Sequence, residues 1–95
     1  MLTSKERASL RALANPIETI LQIGKHEISD ALVTQVDDAL TARELIKLRV
    51  LETAPYTARE AAELLAQRTN SEVVQVIGTR FVLFRRNRKK PIITY

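Results

Sequence analysis

Residues 21–50 change their apolar periodicity twice, and this change restricts the fold more than any other feature of the sequence. The apolar run that ends at Ile23 is typical of a buried strand. Helical spacing follows in a stripe formed by Leu32, Val36, Ala39 and Leu40. Between residues 45 and 50 the period drops to two, which is typical of a strand with one buried face. Two strands joined by a helix predict a parallel βαβ unit, because parallel strands need a long crossover connection.

Capping signals predict where three helices begin. Residues 3–6 and 57–60 both have the Thr-x-x-Glu pattern of a capping box, in which each side chain accepts a hydrogen bond from the other residue's backbone amide. Ser29 can cap the second helix with its hydroxyl group. The predicted first residues are therefore Ser4, Asp30 and Ala58. Pro16 ends the first helix, whose expected buried stripe is Leu10, Leu13 and Ala14.

The remaining apolar runs complete a prediction of four strands, near residues 17–23, 44–51, 72–77 and 81–86. The first of these is apolar on both sides at Ile20 and Leu21, so we expect a central strand, parallel to the second. Gly78 and Thr79 predict a tight hairpin turn between the last two strands, and residues 92–93 could add a short edge strand. The element order αβαβαββ therefore predicts a compact domain of the α/β (α+β) class, with a four-stranded mixed sheet and three helices packed on it.

Length and composition limit the kind of protein. A chain of 95 residues forms one domain with a buried core, which we place at residues 1–88, followed by a basic tail at residues 89–95. The sequence has no cysteine, so disulfides and thiolate metal sites are excluded. No apolar run approaches the roughly 18 residues of a membrane span, and no secretory signal is visible. We expect a monomeric cytoplasmic protein without a membrane partner.

Charge is distributed unevenly along the chain. Residues 1–74 contain nine lysines and arginines and eleven acidic residues, whereas residues 75–95 contain six lysines and arginines and no acidic residue. This asymmetry is typical of a protein that binds a polyanion. A solvated tail that improves solubility would show the same pattern, so charge alone leaves both explanations open.

Catalytic and metal-binding constellations are missing from the sequence. His26 is the only histidine, and without cysteine it cannot build a usual zinc site. Asp37 and Asp38 are adjacent on the second predicted helix, where neighbouring side chains point about 100° apart and cannot converge on a metal ion. We expect this pair to be solvated surface. The sequence therefore predicts a protein that is not an enzyme and has no cofactor.

The turn before the second helix is the main candidate for a binding site. Gly24 would let a phosphate approach the backbone, Lys25 adds a positive charge, and His26 follows at the approach to a helix N-terminus. Free amides and the helix dipole favour an anion at such a position. The alternative is a tight strand-to-helix turn that needs glycine and binds nothing.

Further cations follow on the second strand and in the last part of the chain. Lys47 and Arg49 project from one face of their strand, where they could lay charge across the sheet or only extend from its edge to solvent. Aromatic residues are few, so a platform of stacked bases is not expected, and recognition should depend on phosphates and on the shape of the ligand. The candidate ligand-binding residues are Gly24, Lys25, His26, Lys47, Arg49, Arg80, Arg85, Arg86, Arg88, Lys89 and Lys90.

Several segments of the chain resemble one known family. Ile-Gly-Lys at residues 23–25, an acidic amphipathic helix and then Ala-Arg-Glu-Leu-Ile-Lys at residues 42–47 are similar to the CRM domain (chloroplast RNA splicing and ribosome maturation), especially to its stand-alone bacterial YhbY-like members. The resemblance runs from Leu2 to about Arg88, and Glu-Leu-Ile-Lys is its most specific part. Val-Leu-Phe-Arg at residues 82–85 resembles the family's Val-Leu-Tyr-Arg.

The resemblance implies an RNA-binding domain with a fold like the C-terminal domain of bacterial initiation factor three. It also implies ribosomal RNA or the precursor of the large ribosomal subunit as the partner, and a role in assembly of that subunit. The candidate residues above would then contact RNA phosphates. A protein-interaction module that docks on ribosomal proteins or another acidic partner through the same basic patch is the competing class.

One position departs from the family pattern. CRM domains usually carry Gly-x-x-Gly in this turn, which resembles the loop with which KH domains clamp nucleotides. Glu27 replaces the second glycine here, and its side chain adds bulk and negative charge beside the expected phosphate. The resemblance therefore assigns Gly24 and Lys25 to the motif residue by residue, but it does not imply a complete clamp.

Overall fold

A computed structural model of the protein describes residues 2–87, 89 and 91–93. The elements in this part of the chain are α1 (Ser4–Ala14), β1 (Thr19–Ile23), α2 (Asp30–Arg43), β2 (Leu45–Val50), α3 (Ala58–Thr69), β3 (Glu72–Ile77) and β4 (Arg80–Phe84). The predicted order αβαβαββ is confirmed, and so is the α/β class with three helices and a four-stranded mixed sheet. None of these helices is long and apolar enough to cross a membrane. Of the candidate residues, Arg88 and Lys90 lie outside the described part of the chain.

The helices begin where the capping signals predict. Before α1, the Thr3 hydroxyl accepts from the Glu6 amide at 3.1 Å, and the Glu6 carboxylate accepts from the Thr3 amide at 2.9 Å. Thr57 and Glu60 form the same reciprocal pair before α3, and the Ser29 hydroxyl caps α2. Each cap is worth about 1 kcal/mol, so local signals set these three boundaries.

The strands are ordered β1-β2-β4-β3 in the sheet, so β1 lies at an edge. It pairs in parallel with β2, as predicted, while β4 is antiparallel to both of its neighbours. The expected central position of β1 is wrong, and a register shift between Thr19 and Leu21 explains the misleading pattern. Such a bulge can turn consecutive side chains to one face, and Ile20 and Leu21 both pack against the same core.

Helices α2 and α3 pack on one face of the sheet and enclose the larger part of the core. Strand β2 contributes Ile46 and Leu48 to this core, and burial of one such side chain stabilises the fold by about 1.5–3 kcal/mol. Helix α3 can lie close to the strands because most of its buried stripe is small. The stripe is formed by Ala58, Ala61, Ala62 and Leu65.

Helix α1 packs on the other face and covers only part of it. Leu10 and Ala14 belong to a second apolar cluster, which also contains Leu45, Val74, Val82 and Phe84. The third residue of the expected stripe, Leu13, is 43% exposed, so that part of the prediction is wrong. Two positions four residues apart already bring this 11-residue helix onto the sheet, so the contact does not require burial of Leu13.

Candidate nucleic-acid interface

The face of the sheet that carries α1 has a part that the helix leaves uncovered. Cross-strand pairing places two neighbouring rows of side chains there, and we call these two rows the open half-face. The first row is Gln22, Arg49, Arg80 and Ile77, and the second is Thr19, Lys47, Val82 and Gln75. Helix α1 packs mainly beyond these rows, at Leu45 and Phe84, and meets the second row at Val82 and at Lys47.

Arg49 and Arg80 face each other directly across β2 and β4. Directly opposed side chains have Cβ atoms about 5 Å apart, and like charges in such a pair are destabilising. Neither row contains an acidic residue, and the buried Nε of Arg49 has no hydrogen-bond acceptor within the described residues. An anion placed between the two guanidinium groups would remove the repulsion and supply acceptors.

An open cavity of about 200 Å³ adjoins the two rows. Its lining includes Asn15, Lys47, Gln75, Ile77, Arg80 and Val82. The Lys47 ammonium group donates to the carbonyl oxygen of Asn15 at 3.4 Å, which holds this cation beside the end of α1. Ile77 is 62% exposed, so apolar and cationic side chains share this site.

The turn at residues 24–27 lies at the same end of the sheet as the Arg49–Arg80 pair. Backbone hydrogen bonds join the end of β2 to Ile23 and to Thr79 of the β3–β4 hairpin. Helices α2 and α3 both begin after strands that end at this edge, and their N-terminal dipoles add positive potential there. The structure therefore brings the turn close to the two arginines.

The surroundings of Gly24 leave room for a side chain. Its φ is not in the left-handed region, which among the described glycines is occupied by Gly78 at φ 58°. A Cβ atom at Gly24 would lie 4.0 Å from Leu51 Cδ1, an ordinary contact. The structure therefore shows no steric need for glycine at this position, and the assignment of Gly24 to a binding site stays a prediction. Lys25 and His26 beside it are exposed.

The opposite end of the sheet is organised around Glu44, which is fully buried. One carboxylate oxygen accepts from the amides of Ile92 and Ile93 at 2.8 and 2.7 Å, and the other accepts from the Asn87 amide. The Glu44 carbonyl oxygen accepts from the Arg85 amide at 2.9 Å. These bonds hold the chain after β4 against the sheet. We call the region formed by Glu44, Arg85, Asn87, Ile92 and Ile93 the closed end.

Residues 92 and 93 form no strand with the rest of the described chain, so the expected edge strand is wrong. Their amides are used by the Glu44 carboxylate, and Ile93 packs on the apolar cluster under α1. The Glu44 side chain therefore accepts the hydrogen bonds that the backbone of a neighbouring strand would otherwise accept. The division at residue 88 into a domain and a tail stays a prediction.

Glu44 combines an unfavourable backbone conformation with a favourable charge. Its φ is 65°, which costs a non-glycine residue free energy. Burial opposes ionisation of its carboxyl group, but hydrogen bonds from the amides of Asn87, Ile93 and Ile92 and the charge of Arg86 outweigh burial and lower its pKa. The carboxylate therefore stays charged at neutral pH and keeps all three amides bonded.

Arg85 at the closed end is held by several protein acceptors. Its guanidinium group donates to the carboxylate and the carbonyl oxygen of Asp37 at 2.5 and 3.0 Å. It also donates to the Thr41 hydroxyl at 2.9 Å and to the Thr69 carbonyl oxygen at 2.8 Å. The side chain thereby ties the end of β4 to α2 and α3. Asp37 and Asp38 are both exposed, as expected, but Asp37 is also an acceptor for Arg85.

The predicted contact residues thus fall into two groups at opposite ends of the sheet. The group that the structure brings together is Gly24, Lys25, His26, Lys47, Arg49 and Arg80. The other group is Arg85, Arg86 and Lys89. Arg80 is the first residue of β4 and Arg85 follows its last residue, so at about 3.3 Å per residue the two are roughly 17 Å apart. The assignment of each of these residues to RNA stays a prediction.

Five residues that line the cavity were not among the candidates predicted from the sequence, namely Asn15, Gln75, Ile77, Phe81 and Val82. Ile77 ends an apolar run that is typical of core, and Asn15 is visible in the sequence only as part of a helix stop. One available signal was the hairpin, since a two-residue loop pairs the residue before it with the residue after it. That rule places Ile77 opposite Arg80, as the structure does.

The chain is similar to known proteins over almost its whole length. The family model of the CRS1 / YhbY (CRM) domain matches residues 2–85. The chain is 37% identical over 89 residues to the probable RNA-binding protein YqeI of Bacillus subtilis, covering 94% of this chain and 93% of that protein. It is 41% identical over 86 residues to the probable RNA-binding protein MJ0652 of Methanocaldococcus jannaschii, covering 88% of this chain and 63% of that protein. The solution structure of SAV1595 from Staphylococcus aureus is similar with a TM-score of 0.76 and 47% identity, over 90% of this chain and 88% of that one.

Proposed function

The chain belongs to the CRS1 / YhbY (CRM) domain family, and we propose that it binds RNA through the open half-face and the adjoining turn at Gly24. Relatives from a bacterium and an archaeon are described as probable RNA-binding proteins. The proposed partner is ribosomal RNA during assembly of the large ribosomal subunit, with the protein acting as a cytoplasmic monomer. Binding, and not catalysis, is the proposed activity.

The Arg49–Arg80 pair is the observation that carries this proposal. We expect two directly opposed arginines to lower the stability of the free protein by like-charge repulsion, and a phosphate bound between them would reverse that effect. Guanidinium groups match phosphate oxygens with paired hydrogen bonds, which are among the strongest that side chains form. A nucleic acid backbone supplies such phosphates in series.

The turn at Gly24 extends the proposed surface by a second phosphate site. Gln22 lies beside Arg49 in the sheet. Gly24 follows two residues later, at about 3.3 Å per residue, so it is close to the arginine pair. Lys25 and the N-terminus of α2 favour an anion there. One strand of RNA can therefore reach both positions, and Glu27 would weaken the second one by its negative charge.

Charge-matched variants test the site. Arg49→Gln with Arg80→Gln removes the pair, whereas Arg43→Gln with Arg59→Gln removes the same charge from exposed positions on α2 and α3. Fluorescence anisotropy with a labelled ribosomal RNA fragment, at several KCl concentrations, gives the affinity and its salt dependence. We expect the first double variant to bind at least about tenfold more weakly and to lose about 1.4 from the logarithmic salt slope of a single strand. The second should lose less than about twofold, and equal losses would show that net charge, and not this site, attracts RNA.

A pull-down from cells separates RNA binding from docking on an acidic protein through the same patch. The captured material is divided, one half is treated with RNase, and the bound RNA in the other half is sequenced. Partners that disappear after RNase support the proposal, and protein partners that remain support docking. Enrichment of large-subunit ribosomal RNA supports the proposed partner, and its absence overturns that part.

A further inference from the structure

We infer that the cavity beside the open half-face receives one unpaired nucleobase, so that the preferred ligand is single-stranded and not duplex RNA. This inference rests on the proposed function and deepens it. The cavity measures about 200 Å³, which is below the roughly 300–1,000 Å³ of sites for drug-sized ligands and well above the roughly 30 Å³ that one water molecule occupies. The volume suits a single planar ring system.

The walls of the cavity suit the two faces of a base. Ile77 is 62% exposed and lies directly opposite Arg80, and Val82 belongs to the next row. Unpaired bases stack on arginine guanidinium planes as well as on aromatic rings, so this site needs no aromatic residue. Arg80 would cover one face of the base, while Ile77 and Val82 would exclude water from the other.

The rim of the cavity suits the edge of a base. Asn15 at the end of α1 and Gln75 on β3 both line the cavity, and each carries a side-chain amide. An amide offers a donor and an acceptor together, and the Watson–Crick edge of an unpaired base presents the same combination. The two amides can therefore recognise a base edge that is free of its pairing partner.

Charge beside the cavity identifies the rest of the ligand. Lys47, Arg49 and Arg80 lie in two adjacent rows, so the sugar-phosphate backbone on either side of an inserted base would lie over three cations. An acidic peptide could neutralise the same cations, but most of its side chains offer no flat ring for the cavity. Duplex RNA could neutralise them too, but a base would first have to be unstacked and unpaired.

The test measures the affinity of the protein for three RNAs of equal strand length at one salt concentration. They are a short single strand, a duplex of the same sequence, and a chain of abasic nucleotides that keeps the backbone and removes every base. We expect the single strand to bind about tenfold or more tightly than either of the others, because only it can offer a base for stacking. Removal of all bases prevents the protein from shifting along the strand to another base.

Matched isoleucine variants locate the effect in the cavity. Ile77→Ala shortens one wall, and Ile92→Ala removes the same atoms from a side chain at the closed end that is 56% exposed. Ile77→Ala should weaken binding of the single strand about fivefold and leave the abasic chain unaffected. Ile92→Ala should change neither. Melting curves establish that both variants are folded.

Two results would contradict these statements in different ways. If the abasic chain binds as tightly as the natural strand, or if the two isoleucine variants behave alike, base insertion is overturned while RNA binding stands. If no RNA binds and an acidic peptide does, the proposed function is overturned and the inference with it.

Discussion

The open half-face and the closed end are both rich in charge, but they use it in opposite ways. At the closed end, Arg85 makes four hydrogen bonds to protein acceptors, and the Glu44 carboxylate accepts from three amides. At the open half-face, Arg49 and Arg80 oppose each other in rows that contain no acidic residue. Charges with partners inside the protein hold the fold, whereas opposed like charges at a surface point to a ligand.

The largest expected effect comes from removing the Glu44 carboxylate. Glu44→Ala leaves three amides without their charged acceptor, so we expect the free energy of unfolding to fall by about 3–5 kcal/mol. Urea denaturation followed by circular dichroism measures this change. Glu27→Ala removes an exposed carboxylate and should change the free energy by less than about 0.5 kcal/mol. A loss below about 1 kcal/mol in Glu44→Ala would mean that apolar packing alone holds the closed end.

The next effect contrasts one arginine from each region. Arg85→Ala should lower the free energy of unfolding by about 2 kcal/mol, because carbonyl and carboxylate acceptors lose their donor. Arg80→Ala should leave it unchanged or raise it by about 0.5 kcal/mol, because the repulsion with Arg49 is relieved. Urea unfolding of both variants gives the sign of the change in the free energy of unfolding for each. Losses of equal size would break the distinction between the two regions.

A smaller effect is expected from protonating Glu44 instead of removing it. Its pKa is lower in the folded protein than in the unfolded chain, so its contribution to stability is complete above the unfolded value of about 4.3. That contribution is lost as the pH falls through the folded-state pKa. We therefore expect the free energy of unfolding, measured by urea titration, to decrease on acidification below about pH 5.

Two variants assign the acid-dependent part of the stability. Glu44→Gln should flatten the pH dependence, because the group can no longer titrate. Glu6→Gln is the control, since the hydrogen bond from the Thr3 backbone also lowers the pKa of Glu6 but serves only the cap of α1. If Glu44→Gln keeps the acid dependence of the wild type, the buried carboxylate is not its source.

The smallest expected change in stability belongs to the turn. Gly24→Ala should leave the free energy of unfolding unchanged or raise it by about 0.4–1 kcal/mol, because the unfolded chain loses freedom. RNA affinity should nevertheless fall about fivefold, since a methyl group stands where a phosphate would approach the backbone. Gly78→Ala, at φ 58°, should cost about 1 kcal/mol of stability. Fluorescence anisotropy with the ribosomal RNA fragment measures the affinity of Gly24→Ala. An unchanged affinity would mean that the turn binds nothing.

Local structure was predictable because its causes lie close together in the chain. Each capping box joins residues three apart, and the hairpin depends on the two residues Gly78 and Thr79. The parallel pairing of β1 and β2 follows from the helix between them. The edge position of β1 was not predictable from its apolar pattern, because a bulge turns two consecutive side chains to one face.

The sequence by itself determined the elements, their order and the presence of a basic surface. Only the tertiary structure decided which cations that surface contains. Arg85 meets Asp37 across 48 residues of chain, and Glu44 meets the Ile93 amide across 49. Arg80 has no such partner within the described residues and faces Arg49 instead. The sequence neighbours of Arg80 and Arg85 do not show which of the two has a partner inside the protein. That partner depends on how whole helices and strands pack.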